Sequence, residues 1–311
     1  MVTGSNARVV ILFPGALGDL ILAMGALAAV RARHTGAHLT LAVRDPLRAL
    51  AATTGVADSI VSLDGADAVG LFGGSTLPGW FAEKPIVYGW VGTRDADLAA
   101  RLRSQAHRTA LFSVIREEGS EHAAVAYLRQ VGANGAVAAW RWPSAIASAR
   151  AADVRAAIDR PLLALHAGAG ARRKRWALDG FVELAKRWCD RGGSVVEIAG
   201  PAEEGSPPLP HATWRAVDWP LPDVAALLAR ADAYAGNDSG VSHLAGAVGA
   251  SGVAMFGPTS ARRWAPHGGS IEPLQARGPF ADGIATRALP VARAWDALER
   301  RGCLDKLQGR K

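Results

Sequence analysis

The chain has 311 residues, half of them hydrophobic and a fifth charged, which excludes a disordered protein and suits two domains better than one small core. Its net charge of +7 and pI near 10 favour anionic partners such as nucleotides, nucleic acid or an acidic membrane surface, or serve solubility alone. The two cysteines, Cys189 and Cys303, form neither a metal spacing nor a disulfide framework and fit a reducing compartment.

The predicted elements begin with a buried strand over 8–13, apolar and ended by Pro14-Gly15. It is too short for a signal peptide. Gly18-Asp19 opens an Ala/Leu helix that runs to about Arg33 and stops at Gly36. Its uncharged stretch, 20–30, is about half of a membrane span, so a cytoplasmic protein is expected and any membrane contact is peripheral. Strands follow over 38–43, 59–63, 85–88 and 109–113, with helices over 95–105 and 120–131. That alternation is the βαβ pattern of a parallel sheet. Near Trp142-Pro143 the pattern changes to an Ala/Arg-rich helical stretch over 144–158, and the domain boundary is placed at about residue 155. The second half repeats the alternation: strands over 162–166, 194–199, 213–217, 232–236 and 252–256, helices over 178–191, 222–230 and 240–248, a loop over 205–210, and a last helix over 290–301. In open α/β sheets ligands bind at the carboxyl ends of strands, so the turns there are the candidates.

Four of them carry chemistry. Phe13-Pro-Gly-Ala-Leu-Gly-Asp19 is a glycine turn, through Gly15 and Gly18, that puts a carboxylate at a helix start. Asp19 there is either an N-cap or a general base; the glycines do not have dinucleotide-fingerprint spacing. His166-Ala-Gly-Ala-Gly-Ala-Arg-Arg-Lys-Arg-Trp176 follows a strand. Gly168, Ala169 and Gly170 let backbone amides approach a phosphate and a Lys or Arg of the run from Arg172 to Arg175 neutralises it; a solvated basic loop or a nucleic-acid contact is the other reading. Gly236-Asn-Asp-Ser-Gly-Val-Ser-His-Leu-Ala245 leaves a strand and opens a helix. Asp238 supplies a cap, Ser239 a hydroxyl, and Gly240 and Val241 amides at a positive helix end, which makes a second phosphate or ribose site. His243 is a ligand contact or a structural hydrogen-bonder, and no ligand spacing points to a metal. Met255-Phe-Gly-Pro-Thr-Ser260 is a Gly-Pro turn from which Thr259 or Ser260 reaches a phosphate or caps a helix. None of the ten tryptophans is assigned to substrate.

Three blocks make the chain resemble glycosyltransferase family 9, the ADP-heptose:lipopolysaccharide heptosyltransferase family. They are Leu12-Phe-Pro-Gly-Ala-Leu-Gly-Asp-Leu-Ile21; Leu165-His-Ala-Gly-Ala-Gly with Lys174-Arg-Trp176; and Asn237-Asp-Ser-Gly-Val-Ser-His-Leu-Ala-Gly-Ala247 followed by Phe256-Gly-Pro-Thr259. They occur in family order across roughly residues 8–267. The resemblance implies an α/β GT-B fold of two Rossmann-like domains facing a cleft, 1–155 binding the acceptor and 156–311 the nucleotide-sugar donor. It implies an inverting, metal-independent transfer without a cofactor, with ADP-heptose as donor and an anionic glycan or glycolipid as acceptor; the basic surface suits holding such a glycolipid at the inner face of the inner membrane. Asp19 matches the family's catalytic aspartate, with Gly15 and Gly18 on the acceptor side. Lys174 matches its diphosphate-binding lysine, and the block from Asp238 to His243 its donor-phosphate loop. Ser239 stands where the family usually has Thr, Gly25 where it usually has Pro, and residues 65–108, on the acceptor side, match loosely. Other readings are a non-catalytic nucleotide-sugar-binding protein of the same fold, a nucleotide-sugar epimerase, and a nucleic-acid-binding protein through Arg172 to Arg175. No recognised motif supports the last, so no nucleic-acid partner is expected.

Overall fold

A computed structural model describes residues 7–73, 77–116, 119–133, 140–142, 146–267, 270–280, 282–285 and 287–308. The chain divides into two compact units, the first comprising Met1–Arg116 and Ala124–Val137, the second Glu117–Ala123 and Ala138–Lys311.

The first unit is built on five short parallel strands, β1 (Arg8–Phe13), β2 (His38–Val43), β3 (Ser59–Ser62), β4 (Ile86–Gly89) and β5 (Arg108–Leu111), in the order β3-β2-β1-β4-β5. β1 lies at the centre, Val9 opposite both Leu39 and Ile86, and five of its six residues are buried. Burial on both faces is why it reads as an unbroken apolar run. The helices are α1 (Leu17–Arg33), α2 (Arg48–Ala52), α3 (Val69–Phe72), α4 (Ala96–Gln105) and α5 (Ala123–Gln130), the last belonging to this unit from Ala124 onward. Gly36 stands at φ +83° just beyond α1, a conformation that suits glycine. Strand order reverses at β1, between β2 and β4, so the turn after β1 lies at the switch point of the sheet.

The second unit has six parallel strands. They are β6 (Leu162–His166), β7 (Ser194–Ala199), β8 (Trp214–Val217), β9 (Ala233–Asn237), β10 (Ser251–Phe256) and β11 (Ser270–Gln275), in the order β11-β10-β9-β6-β7-β8. The helices are α6 (Ala149–Ala157), α7 (Leu178–Asp190), α8 (Leu221–Leu228), α9 (Gly240–Ala247), α10 (Ala261–Trp264), α11 (Val291–Arg300) and α12 (Asp305–Gln308). α7 and α11 share one core: Phe181, Leu184 and Trp188 meet Ala294, Trp295 and Leu298 over β6 and β9. Here the switch point lies between β6 and β9, and the loops after those two strands are the ones that carried the glycine-rich motifs.

Three expectations change. Strand β11 was not foreseen, because Pro273 breaks its pattern; an edge strand tolerates a proline, and Pro273 pairs opposite Ala254 of β10. α5 starts at Ala123, not at 120. The helical stretch expected from residue 144 begins at Ala149, capped by the Ser148 hydroxyl, which accepts from the Ala151 amide at 3.0 Å. Pro143 and Ser144 lie outside the described residues. Residue 155, the expected boundary, falls inside α6, which packs against α8 in the second unit. Among the described residues no helix is long and apolar enough to cross a membrane.

Candidate functional site

In the second unit the loop after β6 and the loop after β9 are joined by one side chain. Asn237, the last residue of β9, is fully buried. Its Oδ1 accepts the Trp176 amide at 2.8 Å, and its Nδ2 donates to the Ala167 carbonyl at 2.8 Å and more weakly to that of Gly168 at 3.4 Å. It therefore fixes both ends of the stretch that holds Gly168, Ala169, Gly170 and Lys174. Sequence reasoning missed this role, since Asn237 appeared only as a letter in a motif.

Beside it, Lys174 Nζ lies 2.8 Å from Asp238 Oδ2, and the Thr259 hydroxyl donates to the same oxygen. Asp238 is buried, while a quarter of the Lys174 side chain stays exposed. Three residues expected to touch a donor one by one are thus gathered into a cluster of their own. The carboxylate of Asp238 is turned to both Lys174 and Thr259. The ammonium group has three N–H donors, so the pair with Asp238 leaves others to point outward. Nor does Asp238 cap the helix, as had been expected. The N-cap of α9 is Ser239, whose hydroxyl accepts the Ser242 amide at 3.4 Å. The extended backbone of Ser239 aims the first amides of α9, those of Gly240 and Val241, out of the helix end. Ser242 anchors this turn from below, donating to the Asn237 carbonyl at 2.5 Å and meeting the Tyr234 hydroxyl at 2.8 Å.

The glycines of the β6 loop differ. A Cβ on Gly168 would lie 2.7 Å from His166 Cε1 and 2.9 Å from Glu203 Oε2. Both neighbours are held: His166 Nδ1 donates to the Ile198 carbonyl at 2.9 Å, and Glu203 pairs with Arg175 at 2.9 Å. A Cβ on Gly170 meets nothing within 4 Å. Gly168→Ala is therefore expected to destabilise the unit by about 1–3 kcal/mol in urea unfolding, and Gly170→Ala to stay within about 0.5 kcal/mol of the parent. Of the cationic run, Lys174 and Arg175 are both engaged by acids of the same unit.

His243, in the first turn of α9, is buried, and its Nδ1 has no hydrogen-bond partner among the described residues. Burial pushes its pKa down to about 4; Asp238 opposes the shift, and His122 and Lys174 add to it. The imidazole is neutral at pH 7. Between pH 6.5 and 4 the unfolded chain binds a proton here that the folded chain does not, so stability falls as pH falls through that window. From pH 7.5 to 5 the loss from this residue is about 2 kcal/mol, and His243→Gln is expected to flatten the pH dependence of urea unfolding by that amount.

In the first unit, the N-cap of α1 is Ala16, not Asp19. Asp19 sits three residues into the helix and reaches back, one oxygen accepting the Ala16 amide at 3.3 Å, the other the Tyr127 hydroxyl at 3.4 Å. Tyr127 is fully buried among aromatic rings, 5.8 Å from Phe13 and 6.1 Å from Trp90 between centroids. Gly15 makes this turn possible, because a Cβ there would lie 2.5 Å from the Phe13 ring and 2.8 Å from Asp19 Cβ. Gly18 lies in the first turn of α1, half-buried. A cavity of about 220 Å³ opens at the carboxyl ends of β4 and β5, lined by Trp90, Thr93, Arg94, Asp95, Ser113 and Arg116 among others. Sequence reasoning put residues 65–108 on the acceptor side but singled out none of these as a site residue.

The model of a family described as glycosyltransferase family 9 (heptosyltransferase) matches residues 67–278. Among solved structures, a family 9 glycosyl transferase from Veillonella parvula is 19% identical with a TM-score of 0.75, over 96% of this chain and 97% of that one. The ADP-heptose lps heptosyltransferase II of E. coli is 18% identical with a TM-score of 0.73, over 96% and 99%. The E. coli heptosyltransferase WaaC, solved with ADP, is 17% identical with a TM-score of 0.65, over 94% and 99%. These likenesses carry the two-sheet GT-B α/β fold. No curated protein sequence matches the chain.

Proposed function

Because the chain belongs to glycosyltransferase family 9, as a model match over more than half of its length shows, we propose that it transfers heptose from ADP-heptose to a hydroxyl of an anionic, lipopolysaccharide-type acceptor, with inversion and without a metal. The observation that carries this reading is the paired loop after β6 and β9. The ammonium of Lys174, on a partly exposed side chain, is held in place by a buried carboxylate beside a helix end with outward amides. Such an array suits a diphosphate. It stabilises the negative charge that grows on the leaving nucleotide, often the largest single contribution in a reaction of this type. Cation and amides together take the role that a metal plays in other nucleotide-sugar enzymes.

The amides of Gly168, Ala169 and Gly170 complete the phosphate surface, and the open space over Gly170 is where the donor lies. The carboxylate of Asp19 takes the proton from the attacking acceptor hydroxyl. In-line attack on the anomeric carbon then inverts that centre. The cavity at β4 and β5 offers Arg94 and Arg116 to an anionic acceptor. The acceptor's charge and the protein's net charge of +7 support work at the inner face of the inner membrane.

The test is a thermal-shift panel with ADP, ADP-heptose, UDP, GDP and CMP, since a ligand of the native state raises Tm. Stabilisation by ADP and ADP-heptose alone, weakened in Lys174→Ala and in Gly170→Ala, is the expected result. A response confined to UDP or GDP rejects heptose from ADP-heptose, and no response to any nucleotide rejects the donor site.

A further inference from the structure

The first unit holds a second cavity, of about 380 Å³, that shares no lining residue with the one near Arg94 and Arg116. Its floor is the β4–β5 pair. One wall is the last turn of α1, which brings Arg33; the other is the end of α5, which brings Gln130 and Val131. The volume lies within the range of about 300–1,000 Å³ common to small-molecule sites.

The lining is sorted by chemistry. Ile86, Val131 and Phe112 give apolar surface. Gln130 is already committed at both ends of its amide, accepting from Trp90 Nε1 at 2.8 Å and donating to the Ser113 carbonyl at 2.8 Å. The charged groups of the lining are then Arg33 and Arg108, with no acid beside them, and neither has a hydrogen-bond or ion-pair partner among the described residues. The two guanidinium groups act on the same place. His34, whose ring meets the Tyr88 hydroxyl at 3.0 Å, has its pKa lowered first by burial and then by Arg33 and by Arg108. Two like charges at one cavity repel each other and are relieved by an anion. Guanidinium groups match the paired oxygens of a phosphate better than an ammonium does.

We propose that this cavity binds a phosphomonoester, its phosphate held by Arg33 and Arg108 and its apolar or ring-bearing body laid against Phe112 and Val131. The site is independent of the donor loops and of the glycosyltransfer reading.

The probe is 1-naphthyl phosphate, titrated calorimetrically with ADP present to occupy a nucleotide site. The expected result is saturable one-to-one binding, weakened by about tenfold or more in the double variant Arg33→Gln, Arg108→Gln, and far weaker binding of 1-naphthol. Both arginines are exposed, so the variant is expected to keep its fold, which its Tm verifies. His34 provides a local reading by NMR: a phosphate beside the two arginines cancels their effect and moves its titration upward. A second arm uses phosphatidylcholine vesicles with and without phosphatidic acid. Binding that needs phosphatidic acid and is lost in the double variant assigns the site to a lipid headgroup; binding of the naphthyl ester alone assigns it to a soluble phosphate ester. No response to either probe, or a response that the double variant retains, overturns the proposal.

Discussion

Replacing Asp19 by Asn is expected to lower kcat by about 10²–10⁴-fold while leaving ADP affinity within about twofold of the parent. The magnitude is that of a lost general base. The split between the two readouts follows from the position of the residue. Asp19 lies on α1 in the first unit, and the amides, Lys174 and the α9 helix end proposed to hold the diphosphate all lie in the second. Asparagine keeps the shape and an accepting oxygen for the Ala16 amide, so the first turn of α1 need not change, while the Tyr127 contact reverses, Nδ2 donating to the phenol oxygen. Stopped-time transfer assays read the first quantity and calorimetry with ADP the second. Equal losses in both sink the division of roles; unchanged turnover removes Asp19 from the chemistry altogether.

The position of Asp19 was legible in the sequence because the turn that bears it is written locally: an apolar strand, Pro14-Gly15, and a helix without breakers. Buried parallel strands such as β1, β6 and β7 are short apolar runs whatever their neighbours, and their bounds came out nearly as read. β11 carries Pro273 and pairs on one side alone, and it has no such signature. The glycine-rich loops were legible for the same local reason. What was not legible is what the strand order creates. Lys174 and Asp238 are far apart in the chain and meet because β6 and β9 are adjacent. The same adjacency brings Asn237 to Trp176, and the pairing of β4 with β5 brings Arg108 to the cavity edged by Arg33. No periodicity encodes these contacts. Caps are a further case, in which the residue type misleads: two aspartates in N-cap surroundings, Asp19 and Asp238, yield the cap to Ala16 and Ser239.

Asn237→Ala tests the strand-order effect most directly. The substitution removes three hydrogen bonds at a fully buried position and leaves the Trp176 amide and the Ala167 carbonyl without their partner. Each orphaned group costs about 1–3 kcal/mol, so a loss of about 3–5 kcal/mol in urea unfolding is expected, close to the whole stability of a marginal domain. Asn237→Asp separates the parts. It keeps an acceptor for the Trp176 amide but turns the donor to Ala167 into a second acceptor facing a carbonyl, and it buries a charge. A loss at least as large as that of the alanine variant is therefore expected. Function follows through the loop. Asn237 is buried and spends its amide on the backbone, and it sets both ends of the segment with Gly168, Gly170 and Lys174. ADP affinity measured where the protein remains folded is expected to fall by about tenfold or more, the factor that ~1.4 kcal/mol represents. Stability lost with ADP affinity intact would mean that the loop holds its shape without Asn237, and that the Lys174–Asp238 pair alone positions the phosphate site.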